Sequence, residues 1–120
     1  MEKFKLLLFI ILAQLVLSCT SEYYEIKISN NADSDIDSLY VDPGGFSPKK
    51  FIDLKTGHTK IYSISLNDFP ESDGCYVIKY KLNGKWELRP FGYFTNGAPL
   101  ETGTYLDINN ATIKTQSYRY

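Results

Sequence analysis

The chain predicts an all-β domain, a small antiparallel β-sandwich of seven or eight short strands behind a helical N-terminal segment. Three observations carry this reading. Apolar and polar residues alternate with period two in segments that recur at intervals of about 8–12 residues, separated by clusters of Gly, Pro, Asn and Asp. Ten tyrosines, seven phenylalanines and one tryptophan, with frequent β-branched residues, suit half-buried pleated surfaces. Beyond residue 19 no segment has the 3.6-residue period of an amphipathic helix.

The N-terminal segment opens on Glu2-Lys3-Phe4-Lys5 and runs into an apolar stretch, Leu6 to Leu17, broken only by Gln14. Val16-Leu17-Ser18-Cys19 closes it. A charged start, a 12-residue apolar core and a small residue before the cut make a secretory signal, too short to span a bilayer. Ending on Ser18-Cys19, the segment resembles the lipobox of bacterial lipoproteins, whose cysteine is lipidated and becomes the mature N-terminus. Leu is usual three residues before that cysteine; Val16 is an accepted variant, and Leu17 is a less common neighbour. The resemblance covers residues 1–19 alone. It implies a diacylglyceryl thioether on Cys19 plus an amide-linked acyl chain such as palmitate. Several chains, at about 0.8 kcal/mol per buried CH₂, anchor a protein stably. The family's usual inner-membrane retention signal is an Asp after the cysteine. Thr20 stands there instead, which implies the outer membrane of a Gram-negative bacterium. The expected organisation is a signal peptide over 1–18, lipidated cysteine and tether over 19–22, and the β-domain over 23–120.

Cleavage leaves 102 residues, one small domain. The chain holds 13 basic and 14 acidic residues. Losing Lys3, Lys5 and Glu2 leaves 11 against 13, a net charge of −2. That balance excludes the clustered basic face that nucleic acid requires. With Cys19 acylated, Cys75 has no disulfide partner and reads as a small buried strand residue. The domain must then be held by its core.

Tyr24-Ile26-Ile28 alternates with polar neighbours as a first strand, and Asn30 to Asp35 is a polar turn. Ile36 to Val41 is a second strand, broken by Asp42-Pro43-Gly44-Gly45. Phe51 to Leu54 is short, Lys55-Thr56-Gly57-His58 is a tight turn, and Ile61 to Leu66 is the fourth strand. Cys75 to Leu82 and Lys85 to Pro90 form a hairpin through Asn83-Gly84. A two-residue loop would set Tyr80 opposite Glu87 and mix apolar with charged residues on both faces. A three-residue loop, Leu82-Asn83-Gly84 with a bulge, sets Tyr80 opposite Trp86 and Ile78 opposite Leu88. The latter is favoured, because it gives one apolar face and draws Trp86 towards the core. Pro90 and Gly92 interrupt the stretch after the hairpin, and Thr95 to Pro99 is a turn-rich loop. Thr104 to Ile108 and Ala111 to Tyr118 close the chain as a hairpin over Asn109-Asn110. The architecture expected is immunoglobulin-like, without the disulfide and tryptophan spacing of true immunoglobulin domains.

Catalytic and metal chemistry find little support. His58, the single histidine, lies in a turn with no placed nucleophile or orienting partner. Zinc needs three or four nitrogen or sulfur ligands, and only His58 and Cys75 are on offer. Pro43-Gly44-Gly45 lacks the lysine and helix of a phosphate loop. A glycosidase-type carboxylate pair would need a cleft. Asp33, Asp35 and Asp37, with Asp42, are weighed as a loose calcium site. An EF-hand fails because Ser38 and Gly44 occupy the positions that require Gly and Glu, so these acids read as turn residues. No cofactor is expected.

The segment Phe91 to Leu100 sets Phe91, Tyr93 and Phe94 beside a glycine-containing loop with Asn96. It reads either as aromatics capping the core or as a binding edge, and with Trp86 it supplies the binding residues. The expected function is that of a non-enzymatic, membrane-anchored envelope lipoprotein working as a protein-binding module, an immunity or inhibitor protein or an accessory subunit. The alternative is capture of polysaccharide by exposed aromatics.

Overall fold

A computed structural model describes residues 2–17 (backbone only from 11 onward), 23–44 and 50–118. Cys19 and the tether 20–22 lie outside the described residues. Helix α1 spans Glu2–Leu17. Nine strands come after it: β1 Tyr23–Asn30, β2 Ile36–Asp42, β3 Ile52–Leu54, β4 Thr59–Ser65, β5 Gly74–Leu82, β6 Lys85–Thr95, β7 Ala98–Pro99, β8 Gly103–Ile108 and β9 Ile113–Tyr118. They form two sheets, a first of order β4-β1-β8-β9 and a second of order β3-β2-β5-β6-β7. This is the expected small sandwich, with β7 as a strand beyond the eight anticipated. One pair departs from the antiparallel rule: β1 runs parallel to β8, from Glu25 opposite Gly103 to Asn30 opposite Ile108. A parallel pair needs a long crossover, and here the whole second sheet lies between the two strands in sequence.

Period-two burial builds the core. β1 turns Tyr24, Ile26 and Ile28 inward and Glu25, Lys27 and Ser29 outward. Tyr62 and Ile64 of β4 and Leu106 and Ile108 of β8 extend that layer, which meets Leu39, Val41, Tyr76, Ile78, Tyr80 and Leu82 of the second sheet. Among the described residues every buried core residue lies between Tyr24 and Ile108, and Phe4 and Leu6 to Ile10 of α1 are not among them. Asn30, fully buried, ends β1. Its Nδ2 donates to the Ser34 and Leu54 carbonyls, and its Oδ1 accepts from the Ala32 N–H. Those bonds offset the cost of burying an amide and pin the polar turn. Along α1, Phe4 and Leu6 to Ile10 are exposed. Among the described residues no helix is long and apolar enough to cross a membrane.

The β5–β6 hairpin corrects the expected register. Leu82 pairs with Lys85, Lys81 with Trp86, Tyr80 with Glu87 and Lys79 with Leu88, so the loop has two residues. Asn83 and Gly84 both have left-handed backbone, φ 54° and 76°, the type I′ geometry whose twist matches the strands. The apolar side of β6 does not face the core because this strand runs at the margin of the sandwich, across from β9. The β9 residues paired with the inward side chains of β8 are Ile113, Thr115 and Ser117, mostly polar. Inward positions of β6 are therefore wet enough for Lys85, Glu87 and Arg89, with Arg89 Nη2 3.0 Å from Glu87 Oε2. Trp86, expected towards the core, faces outward and is 44% exposed.

Three smaller features also differ from expectation. β6 does not stop at Pro90. Counting outward from the turn, the ladder alternation gives Pro90 a non-hydrogen-bonded position opposite Val77, where no N–H is needed. Cys75, expected in the core, is exposed; the buried parity of β5 falls on Tyr76, Ile78, Tyr80 and Leu82 instead. The last hairpin loop covers 109–112 rather than two residues, closed by an Asn109 N–H to Thr112 carbonyl bond of 2.8 Å.

Beyond Pro90 a bulge resets the parity. Tyr76 pairs with Phe91 but Gly74 with Phe94, one extra residue on β6. Gly92 sits there at φ 60°, where a Cβ would lie 2.6 Å from the Tyr76 ring. A Gly92→Ala change should cost about 2–4 kcal/mol, combining left-handed strain with a clash in the core. Gly84→Ala, with open space around its Cβ position, should cost only about 1 kcal/mol. Urea unfolding of both variants checks the difference.

Candidate functional site

The bulge divides the predicted aromatic segment. Phe91 and Phe94 are 6% and 1% exposed. Phe91 stacks on Tyr76 with centroids 5.4 Å apart, and Phe94 meets Phe69 edge-on at 5.3 Å. The space left by the missing Gly74 side chain receives the Phe94 ring. These two aromatics are core, which agrees with the capping reading of the segment and removes Phe91 and Phe94 from the candidate binding residues. Asn96 is a turn residue: with Gly97 it forms a second left-handed Asn-Gly pair, and its N–H donates to Asp73 Oδ1 at 3.0 Å. Of the five candidate binding residues, Tyr93 (48% exposed) and Trp86 present aromatic surface.

Register places Trp86 on the outer face of the second sheet, with neighbours that a three-residue loop would have turned inward. Tyr40 of β2 lies beside Lys79 of β5, and Lys79 beside Leu88 of β6, making one row. The next row sets Asp42, Val77 and Pro90 side by side. Trp86 sits opposite Lys81, and Lys79 Nζ lies 5.2 Å from the Trp86 ring centroid. Phe51 extends the strip, with its ring 5.0 Å from that of Tyr40. Leu88, 56% exposed, is the most open apolar side chain of β6. This face is apolar along β6 and carries cations along β5. Its signal in the sequence is the alternation Trp86-Leu88-Pro90, legible once the Asn83-Gly84 turn is given two residues.

The remaining predicted residues occupy separate places. His58 is exposed in its turn, its N–H bonded to the Lys55 carbonyl at 3.0 Å, with Gly57 left-handed before it. Asp33 exchanges two bonds with the Asn110 amide, Asp35 Oδ1 accepts the Thr56 N–H, and Asp42 Oδ1 accepts the Gly44 N–H. These acids act as loop acceptors pointing to different partners. Among the described residues no three His, Cys, Asp or Glu side chains converge on one point.

Burial also shapes a tyrosine pair at one end of the core. Tyr24 and Tyr76 stack with centroids 4.8 Å apart and planes 6° from parallel. The Tyr24 hydroxyl donates to Glu101 Oε1 at 2.9 Å and is hydrogen-bonded with the Thr104 hydroxyl. The Tyr76 hydroxyl is sealed and makes no direct hydrogen bond. Burial drives both phenols well above their ordinary 10.0, with Glu101 reinforcing the shift. Tyr62 and Tyr80 are raised by burial too.

No protein-family model matches the chain, and no curated protein or solved structure matches it either.

The tyrosines make stability depend on alkaline pH. Their folded pKa values exceed the unfolded value, so the unfolded chain releases protons first and gains on the folded state above pH 10.0. The contribution is full below that value and is lost as pH rises towards the folded pKa. The urea midpoint should therefore fall from about pH 9.5 upward, and Tyr76→Phe should flatten that fall.

Proposed function

We propose that the protein is an envelope lipoprotein, anchored through lipid on Cys19, whose β-sandwich is a non-catalytic protein-binding module. The single observation that carries the binding reading is the outward apolar strip of β6, Trp86-Leu88-Pro90, continued by Tyr93 beyond the bulge. Burying a side chain such as Leu or Trp contributes about 1.5–3 kcal/mol relative to exposure, so a row left in water is surface available to a partner. An aromatic anchor among aliphatic and cationic neighbours is the composition of protein hot spots. The partner on this reading is another envelope protein, which the module would inhibit, neutralise or help assemble.

The anchor is supported by the lipobox-like Val16-Leu17-Ser18-Cys19 and by α1. Its apolar side chains at Phe4 and Leu6 to Ile10 are exposed, and the core closes without them. Such a segment suits a signal peptide, not a part of the domain. Location in the outer membrane of a Gram-negative bacterium rests on the same resemblance. Polysaccharide capture is less favoured by the burial of Phe91 and Phe94, and by Lys79 lying over the Trp86 ring.

Two experiments in cells test the proposal. Cys19→Ser should abolish incorporation of an alkyne-labelled fatty acid and release the protein from membranes; retained labelling would refute the anchor. A photo-crosslinking residue at Leu88 or Tyr93 should trap one partner protein, whereas Gln116 on the other sheet should trap none. Leu88→Asp should weaken capture at least about tenfold with an unchanged melting temperature. Crosslinks to polysaccharide alone would favour the alternative.

A further inference from the structure

Where β1 begins, a cleft of about 420 Å³ opens between the first sheet and β7, within the size range of small-ligand sites. Tyr23 and Tyr24 form one wall, and Leu66 and Pro99 add apolar surface. Glu101 and Thr102 supply the polar groups, and among the described residues no lysine or arginine lines the cleft. Glu101 is half-buried, and the Tyr24 hydroxyl fixes its carboxylate by donating to Oε1 at 2.9 Å. The two ion pairs formed among the described residues, Lys60–Asp53 and Arg89–Glu87, leave Glu101 out. A half-buried carboxylate held in position by a phenol, beside the exposed Tyr23 ring and with no cation among the described residues that line the cleft, is complementary to a positive charge.

We propose that this cleft binds a cationic amino or guanidino group on a short alkyl arm. Glu101 is the counter-ion, and the exposed Tyr23 offers its ring to the cation and its alkyl stem, with Tyr24 buried behind it holding the carboxylate. A lysine or arginine side chain of a peptide and a free alkyl cation share this chemistry. The site is separate from the outer face of the second sheet, so its test stands whether or not that face binds a protein.

The experiment is titration calorimetry on the full-length protein in lipid nanodiscs. The probes are Nα-acetyl-arginine methylamide, n-butylguanidine and the neutral isostere Nα-acetyl-citrulline methylamide. Both guanidines should bind, the citrulline probe should bind at least about tenfold more weakly, and affinity should fall as salt is added. Equal affinity for the two guanidines would identify the alkyl cation as sufficient. Tighter binding of the blocked arginine would identify a peptide side chain as the better ligand. Glu101→Gln should weaken binding at least about tenfold. Ala98→Lys, at an exposed position of the cleft wall, should do the same by supplying an internal ammonium while leaving the Tyr24–Glu101 bond in place. Should Glu101→Gln unfold, Ala98→Lys decides. The proposal is overturned if neither guanidine binds, if citrulline matches arginine, or if Ala98→Lys binds as the parent does.

Discussion

Two points in the backbone of β6 decide what this domain shows to solvent. The Asn83-Gly84 turn, with both residues left-handed, sets Lys85 opposite Leu82 and so sends Trp86, Leu88 and Pro90 outward. The extra residue at Gly92 then resets the parity, which lets Phe91 and Phe94 both turn inward. One strand therefore does two jobs in sequence, an apolar outer strip before the bulge and a plug for the core after it. Without the bulge, one of the two phenylalanines would face water and the Tyr76 ring would lose a neighbour. With a longer turn, Trp86 would be drawn inward and the outer strip would become a row of charges.

The inward row of β6 is tolerated because the sandwich does not close tightly there. Glu87 and Arg89 are half-buried, paired with each other and set opposite Tyr80 and Ile78, so their aliphatic stems cover core surface while their charged ends reach water. A fully closed edge would have required apolar residues at those positions, and the pairing of Tyr80 with Glu87 would have been costly. The polar inward positions of β9 and the charged inward positions of β6 are thus the same feature seen from two sheets. That open margin frees β6 to turn its apolar side outward.

Most of the fold was legible because period-two alternation and turn chemistry act locally. β1, β2, β4 and β5 fall where Ile, Tyr and Val alternate with polar residues, and Asn83-Gly84 marked its turn. What escaped was long-range. The parallel pairing of β1 with β8 leaves no local trace, since nothing in Tyr24-Ile26-Ile28 specifies which strand lies beside it. The register of the Asn83-Gly84 hairpin was missed by assuming that the apolar side of every strand faces the core, which neglects strands at an open margin. Trp86 was misplaced by the same assumption, whereas Cys75 was placed by the general tendency of free cysteines to be buried, against the parity of Tyr76, Ile78 and Tyr80. Of the candidate binding residues, exposure of Tyr93 and burial of its neighbours Phe91 and Phe94 turn on a bulge that Gly92 signalled without fixing its parity. The Glu101 cleft was not visible at all, because its walls come from residues 23–24, 66 and 98–102 brought together only by the crossover between sheets.

The proposed anchor and the cleft would be linked by chain length. Tyr23 stands four positions after Cys19, and an extended chain advances at most about 3.6 Å per residue. A lipid on Cys19 would therefore keep the start of β1 within about 14 Å of the bilayer surface, whatever path the tether takes. Tyr23 and Tyr24 line the cleft, so on that anchor its opening would belong to the membrane-proximal part of the domain. On the proposed anchor, a ligand entering the Glu101 cleft would approach close to the membrane surface. A longer tether inserted after Thr20 would let the whole domain move outward and would relax that constraint.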